Sequence, residues 1–344
     1  MKLLVLGGSG FVGWHIVHEA LLRGHNVTTF NRGVTDPGAF PSAGKLYGDR
    51  NIADIQQIGW QDWDTVVDTS GYDAETVRLS AQAAAGHARM YVFISSLGVY
   101  QHRERTNQDE AAPVAESREA CTPALSPSLL ASYPLVLDHG PRKVACEKEI
   151  QAVFPENSLI LRLGLVSGPR DHTDRFTYWP ARIAEGGDVL APGLPDSLAQ
   201  VIDARDLAKF VVTMSERYAT GTYNVAGPSH PVPLAELFAI CRNVSGSDAR
   251  FHWVEDAFLL ANRIKMYTEM PLWVATPLTG INQFNIEKAE AAGLVHRPLE
   301  KLVRDVYEWH RSRGKDYKLQ SGISPEREAD LIRRYAANRT NAGN

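Results

Sequence analysis

The chain has 344 residues, of which 44% are apolar and 22% charged, with a formal net charge of -4. That is enough to bury one large core, or a main core with a smaller lobe. No segment has a strong basic excess, so nucleic acid is not an expected partner. No apolar run approaches the ~20 residues of a membrane helix, and the opening run Met1–Leu6 is too short for a signal region. The widely spaced Cys121, Cys146 and Cys241 fit free thiols in a reducing cytoplasm rather than a disulfide frame or a zinc site, and no metal is expected.

In chain order, strands alternate with helices. Lys2–Leu6 is a short apolar run closed by glycines and reads as a buried strand. Phe11–Leu22 has apolar residues at helical spacing, and Gly24 stops it. Asn26–Phe30 is a second strand. Thr65–Asp68 and Met90–Ser95 are two more, separated by a helical stretch over 74–85. The polar, proline-bearing segment 101–139 breaks this rhythm. It reads either as a loop or lid near the site or as a surface excursion. A helix is expected over 142–154 and a strand over Ser158–Leu163. From Gly168 the pattern turns irregular and aromatic, with short strands at 200–203 and 222–225 that would return to the main sheet. A charged helical tail follows Pro325. The expected class is α/β: a Rossmann-type, doubly wound parallel sheet with a smaller C-terminal substrate lobe. The expected division is a dinucleotide domain over 1–167, with 101–139 as its insertion, a lobe over 168–325 and a tail over 326–344.

Gly7, Gly10 and Gly13 stand directly after the first strand and open the first helix. That is where a dinucleotide pyrophosphate needs a tight turn, a close backbone approach and a free helix N-terminus. Ser9, Phe11 and Val12 belong to the same turn. The second strand ends on Asn31 and Arg32 where an acidic residue would favour NAD. The guanidinium suits a 2′-phosphate, so NADP is the favoured cofactor and NAD the alternative. Asp49 is a candidate for the adenine amino group, and Thr69 and Ser70 are further expected cofactor contacts.

The ordered motifs continue with Ser95-Ser96-Leu97-Gly98-Val99-Tyr100, Lys143, Arg162-Leu163-Gly164 and Asp203-Ala204-Arg205-Asp206. Over about residues 1–310 the chain resembles the extended short-chain dehydrogenase/reductases, the NAD(P)-dependent sugar epimerase/dehydratase family. It looks most like an actinobacterial branch, on Asp68-Thr69-Ser70-Gly71-Tyr72 and Asp174-Arg175-Phe176-Thr177-Tyr178-Trp179. A plastid RNA-binding group is a distant relative. The resemblance implies hydride exchange with a secondary alcohol or ketone of a sugar, nucleotide sugar or nucleoside, with epimerisation or dehydration as the net reaction, in a homodimer. It also implies Ser96 as the residue holding the reacting oxygen and Lys143 as the anchor of the nicotinamide ribose.

Four residues before Lys143, where the family has its proton-transferring tyrosine, this chain has His139. An imidazole near pKa 6.5 is a competent base at neutral pH, and Lys143 would keep it neutral. Three readings stand: His139 works as the base, Tyr133 takes over, or the redox site is retired and the chain is a non-catalytic sensor or RNA-binding relative. Leu97 and Gly98 occupy the acid and base places of 4,6-dehydratases, which argues against that reaction and leaves a simple NADPH-dependent ketone reductase as an alternative. Glu104, Asp109 and Glu110 are unplaced acids. Tyr100, Arg175, Tyr178 and Trp179 are candidates for the substrate pocket or, equally, for core packing. His15 and His18 read as packing residues and Arg205 as a structural ion pair.

Overall fold

The computed structural model describes residues 1–121, 126–132 and 138–342; Tyr133 lies outside the described residues. The strands are β1 (Lys2–Leu6), β2 (Asn26–Asn31), β3 (Gly44–Tyr47), β4 (Thr65–Asp68), β5 (Tyr91–Ser96), β6 (Ser158–Leu163), β7 (Leu165–Ser167), β8 (Asp188–Pro192), β9 (Leu198–Ala199), β10 (Val201–Asp203), β11 (Gly221–Val225), β12 (Val232–Pro233) and β13 (Arg250–Val254). The helices are α1 (Phe11–Leu22), α2 (Ala74–Ala84), α3 (Pro127–Ser132), α4 (His139–Val153), α5 (Tyr178–Ala184), α6 (Ala204–Glu216), α7 (Leu234–Ser245), α8 (Asp256–Ala261), α9 (Glu287–Ala291), α10 (Leu299–Ser312) and α11 (Pro325–Ala342).

Seven strands form one parallel sheet in the order β11-β6-β5-β4-β1-β2-β3. Alternate residues of each strand feed opposite layers. Leu3 and Val5 pack with Ile16, Val17, Leu207 and Val211 of α1 and α6. Leu4 and Leu6 pack with Val77, Ala81, Cys146 and Ile150 of α2 and α4. Each fully buried Leu, Val or Ile side chain among these contributes roughly 1.5–3 kcal/mol of burial free energy. The strand order reverses between β1 and β4, and ligands of such sheets bind beyond the strand ends at that point. A third apolar cluster, with Trp179, Phe238, Trp273 and Leu302 at its centre, forms the smaller lobe.

Three expectations need correction. The helix expected from 142 begins at His139, because Pro141 falls in the first turn, where a missing N–H breaks no helical bond. Strand β10 pairs with β7 in a separate two-stranded sheet, and of the two expected returning strands only β11 joins the main sheet. The front of the 101–139 segment is anchored rather than loose. Ala115 N–H donates to the Val99 carbonyl at 2.8 Å, and Asn107 N–H donates to the Gln283 carbonyl at 2.6 Å. The Glu110 carboxylate accepts from the Asn224 N–H at 2.7 Å. Among the described residues no helix is long and apolar enough to cross a membrane. No group of three or more His, Cys, Asp and Glu there is arranged to hold a metal.

Candidate active site

A cleft of about 880 Å³ opens over the C-terminal ends of β1, β4 and β5. Gly7, Ser9, Gly10, Phe11, Val12 and Gly13 line one end, with Asn31, Arg32, Asp49, Thr69 and Ser70 beside them. Ser96, His139, Lys143 and Arg175 line the other end. All of the expected catalytic and cofactor residues therefore meet in one space.

The turn fits a dinucleotide. Gly7 holds φ at +88°, and a Cβ there would lie 2.8 Å from Thr69 Oγ1. A Cβ on Gly13 would overlap the Gly7 carbonyl oxygen, so α1 can begin this close to β1 only with glycine. The opening N–H groups of α1 have no intrahelical partner and face the cleft, where they can meet phosphate oxygens. At the end of β2, Asn31 Oδ1 accepts from the Gly33 N–H at 2.8 Å and shapes the turn that presents Arg32, which is exposed. Asp49 Oδ1 already accepts from Asn51 N and Nδ2 at 2.9 and 2.7 Å.

Below the cleft floor the Arg50 fork binds Asp68 at 2.8 and 2.7 Å and reaches Ser70 and Ser80. Burial would raise the Asp68 carboxyl, but the charge and hydrogen bonds of Arg50 hold it below the usual range. Lys143 donates to the Gly71 carbonyl at 2.6 Å and the Ile94 carbonyl at 2.8 Å, so one of its three N–H donors is left over. Burial pulls its pKa down to about 8, with Asp68 opposing.

Ser96 Oγ accepts from the Gly98 N–H at 3.1 Å, which leaves its own hydrogen available to a ligand oxygen. Helix α4 starts against this turn because Gly140 presents no side chain to it, and that contact carries His139 to the cleft. His139 is half-buried, and its pKa falls to about 4 through burial and then through Lys143, Arg175, Arg103 and Arg142. The imidazole is therefore neutral at pH 7, as expected, but it is a weaker base than a free one.

Other expected residues fall elsewhere. Tyr100 is 1% exposed, donates to Asn224 Oδ1 at 2.6 Å and accepts from Arg162 at 3.0 Å. Tyr178 and Trp179 pack in the smaller lobe, where Trp179 Nε1 donates to the Pro271 carbonyl at 2.8 Å. These three are packing residues, because their burial leaves no face for a substrate. Arg175 alone of that set reaches the cleft. Its loop is pinned by Asp174, which binds Arg313 at 2.8 Å and accepts from the Tyr317 hydroxyl and the Gln320 N–H at 3.0 Å each. Of the unplaced acids, Glu104 pairs with His102, Asp109 caps Ala111, Glu110 binds Asn224, and none lines the cleft. His15 bonds the Pro169 carbonyl at 2.9 Å, and Arg205 pairs with Asp203 and Asp305, so both are structural.

Tyr72, Arg103 and Asp171 also line the cleft and were not expected there. Tyr72 could have been found: it stands four residues past the end of a parallel strand, in the loop where such sheets bind ligands. Two walls of the cleft are tied together by Arg170, which pairs with Asp36 at 3.0 Å and lies 4.4 Å over the Trp14 ring.

Residues 3–90 match the model of the "NAD dependent epimerase/dehydratase family". The chain is 27% identical over 255 residues to 2'-dehydrokanamycin reductase of Streptomyces kanamyceticus, covering 69% of this chain and 65% of that protein. It is 30% identical over 263 residues to the chloroplast stem-loop binding protein of 41 kDa b of Arabidopsis thaliana, covering 71% and 63%. The chain thus spans less than two thirds of the length of either relative. The fold matches UDP-glucuronic acid 4-epimerase from Bacillus cereus in complex with NAD, with a TM-score of 0.66, 16% identity and coverage of 92% and 100%.

Proposed function

We propose that the chain, whose residues 3–90 match the model of the NAD dependent epimerase/dehydratase family, exchanges hydride with a secondary alcohol or ketone of a sugar or nucleotide sugar. The observation that carries this is the meeting of the glycine turn, Ser96, Lys143 and His139 in one cleft. When bound, the nicotinamide supplies or accepts the hydride. The leftover N–H of Lys143 holds the nicotinamide ribose. Ser96 donates its hydrogen to the reacting oxygen. His139, neutral and held among cations, bonds the same oxygen, and those cations stabilise the negative charge that grows on it. Arg175 binds a polar or anionic group of the substrate.

NADP is the proposed cofactor. Arg32 is a cleft-lining guanidinium that makes no ion pair among the described residues, at the end of the second strand where a ribose 2′-phosphate would be met. Asp49, an acid of the cleft wall, has one oxygen occupied by Asn51. The working unit is proposed to be a homodimer in the cytoplasm, with residues 1–167 serving the cofactor and 168–325 the substrate.

Ketone reduction is the second reading. Leu97 is buried where a dehydratase needs an acid, and the similarity to 2'-dehydrokanamycin reductase points the same way. The test is titration of the purified chain with NADPH and NADH. Hydride transfer is then followed with 2'-dehydrokanamycin, UDP-glucose and UDP-glucuronic acid. Binding of NADPH, with turnover lost in Ser96→Ala and His139→Ala but cofactor affinity kept, supports the proposal. Binding of neither dinucleotide overturns it in favour of a non-catalytic protein, and turnover unchanged from the parent chain in both variants overturns the assigned roles of Ser96 and His139.

A further inference from the structure

Hydride arriving at a carbonyl carbon leaves an oxyanion that needs a proton. Arg103 and Arg175 do not release protons. The Ser96 hydroxyl hydrogen-bonds but is far too weak an acid to be left as an alkoxide. His139 is a neutral imidazole. Lys143 gives two of its N–H donors to carbonyls, and the third is the one proposed to hold the nicotinamide ribose. Of the cleft phenols, Tyr267 already donates to Asn282 Oδ1 at 3.0 Å.

Tyr72 is different. Among the described residues nothing hydrogen-bonds its hydroxyl, and the residue is 59% exposed at the cleft wall. Its neighbours on both sides are anchored. The Gly71 carbonyl accepts from Lys143, and Asp73 caps α2 by accepting from the Thr76 N–H at 3.0 Å. A side chain at residue 71 would press on Phe93 and Val77, so only glycine lets the loop lie this low over the sheet. The result is that the Lys143 ammonium stands 4.7 Å from the centroid of the Tyr72 ring. The His139 ring is 6.2 Å away, centroid to centroid. A phenol brought in by the β4 loop thus borders both groups that α4 contributes.

We propose that Tyr72 is the proton-transferring residue of this site, supplying from the β4 loop the phenol that α4 lacks at His139. The inference rests on the hydride-transfer reading. In reduction, hydride adds to the carbonyl carbon, the C=O pair moves onto oxygen, and that oxygen takes the Tyr72 hydroxyl proton. The phenolate then recovers a proton from water at its exposed face.

Two measurements test this. The first is single-turnover reduction of 2'-dehydrokanamycin by bound NADPH. Tyr72→Phe should slow hydride transfer by about a hundredfold or more at unchanged NADPH affinity. His139→Tyr placed in that background should restore much of the rate. Unchanged transfer in Tyr72→Phe overturns the proposal. The second needs no substrate: the tyrosinate absorbance titration of the intact chain minus that of Tyr72→Phe, with NADP⁺ bound and with NADPH bound. The two complexes differ mainly in the positive nicotinamide ring, so a phenol at the reacting atoms ionises at lower pH with NADP⁺. Identical titrations would remove Tyr72 from the reacting atoms and overturn the proposal. A chain that binds cofactor but transfers no hydride would count against the proposed function, while this titration still decides where Tyr72 stands.

Discussion

Gly140 packs directly on the carbonyl oxygen of Gly98, and a methyl group on its Cα would overlap that oxygen. The contact joins the first turn of α4 to the turn that follows Ser96, so it sets the distance between Ser96 and His139. Gly140→Ala should cost about 1–3 kcal/mol in folding stability by overpacking. It should also lower turnover more than it weakens cofactor binding. A denaturation curve with a cofactor titration checks both, and an unperturbed turnover would separate α4 from the chemistry.

On the proposed NADP reading, Arg32 sets the nucleotide preference. Its replacement by alanine should weaken NADPH about 10- to 100-fold, the worth of a charge-assisted hydrogen bond, and leave NADH nearly unchanged. Fluorescence titration of both reduced cofactors reads this directly. Equal losses would mean that Arg32 stacks on adenine and does not bind a phosphate.

Acid should weaken the fold in a defined window. His15 and His139 are both held near pKa 4, chiefly by burial, below the 6.5 of an exposed imidazole. The unfolded chain therefore binds protons below about 6.5 that the folded chain refuses until about 4, and stability falls as pH drops through that interval. Each group contributes on the order of 1 kcal/mol per pH unit. Urea melts between neutral pH and pH 4 should show the slope. His15→Gln, which can still donate to the Pro169 carbonyl, should flatten it.

Arg162 and Glu147 form a buried pair at 2.8 Å, with Ser95 and Tyr100 hydrogen-bonded to its two ends. Removing one partner strands a charge in the sheet. Arg162→Met should cost about 3–5 kcal/mol, while the double change Arg162→Met with Glu147→Leu should recover part of it. Thermal unfolding of the three proteins measures the difference.

Much of this architecture is legible locally. Strand β1, the glycine turn and α1 declare themselves through apolar spacing and through residues that only one backbone conformation suits. The limits are just as specific. Gly140-Pro141 looks like a helix breaker in sequence, yet proline is harmless in a first turn, and that hid the start of α4. Tyr100, Tyr178 and Trp179 carry the same aromatic chemistry whether they face a ligand or a core, and only tertiary packing separates the two. Tyr72 and Lys143 are far apart along the chain. Their proximity follows from the pairing of β4 with β5 and the packing of α4, not from any local pattern.

The Arg170–Asp36 pair joins the loop after β2 to the loop after β7 above the cleft. Their chain neighbours Val34, Thr35 and Asp171 line the cleft, and a dinucleotide held there is expected to leave faster once the pair is broken. An enzyme that returns hydride to the molecule it came from never needs the exit, and the tie would not slow it. A reductase must exchange its spent cofactor every cycle, so loop opening rather than chemistry would set its pace. Cofactor release in Asp36→Asn, faster with overall turnover raised or faster with turnover unchanged, would then separate the two modes of use.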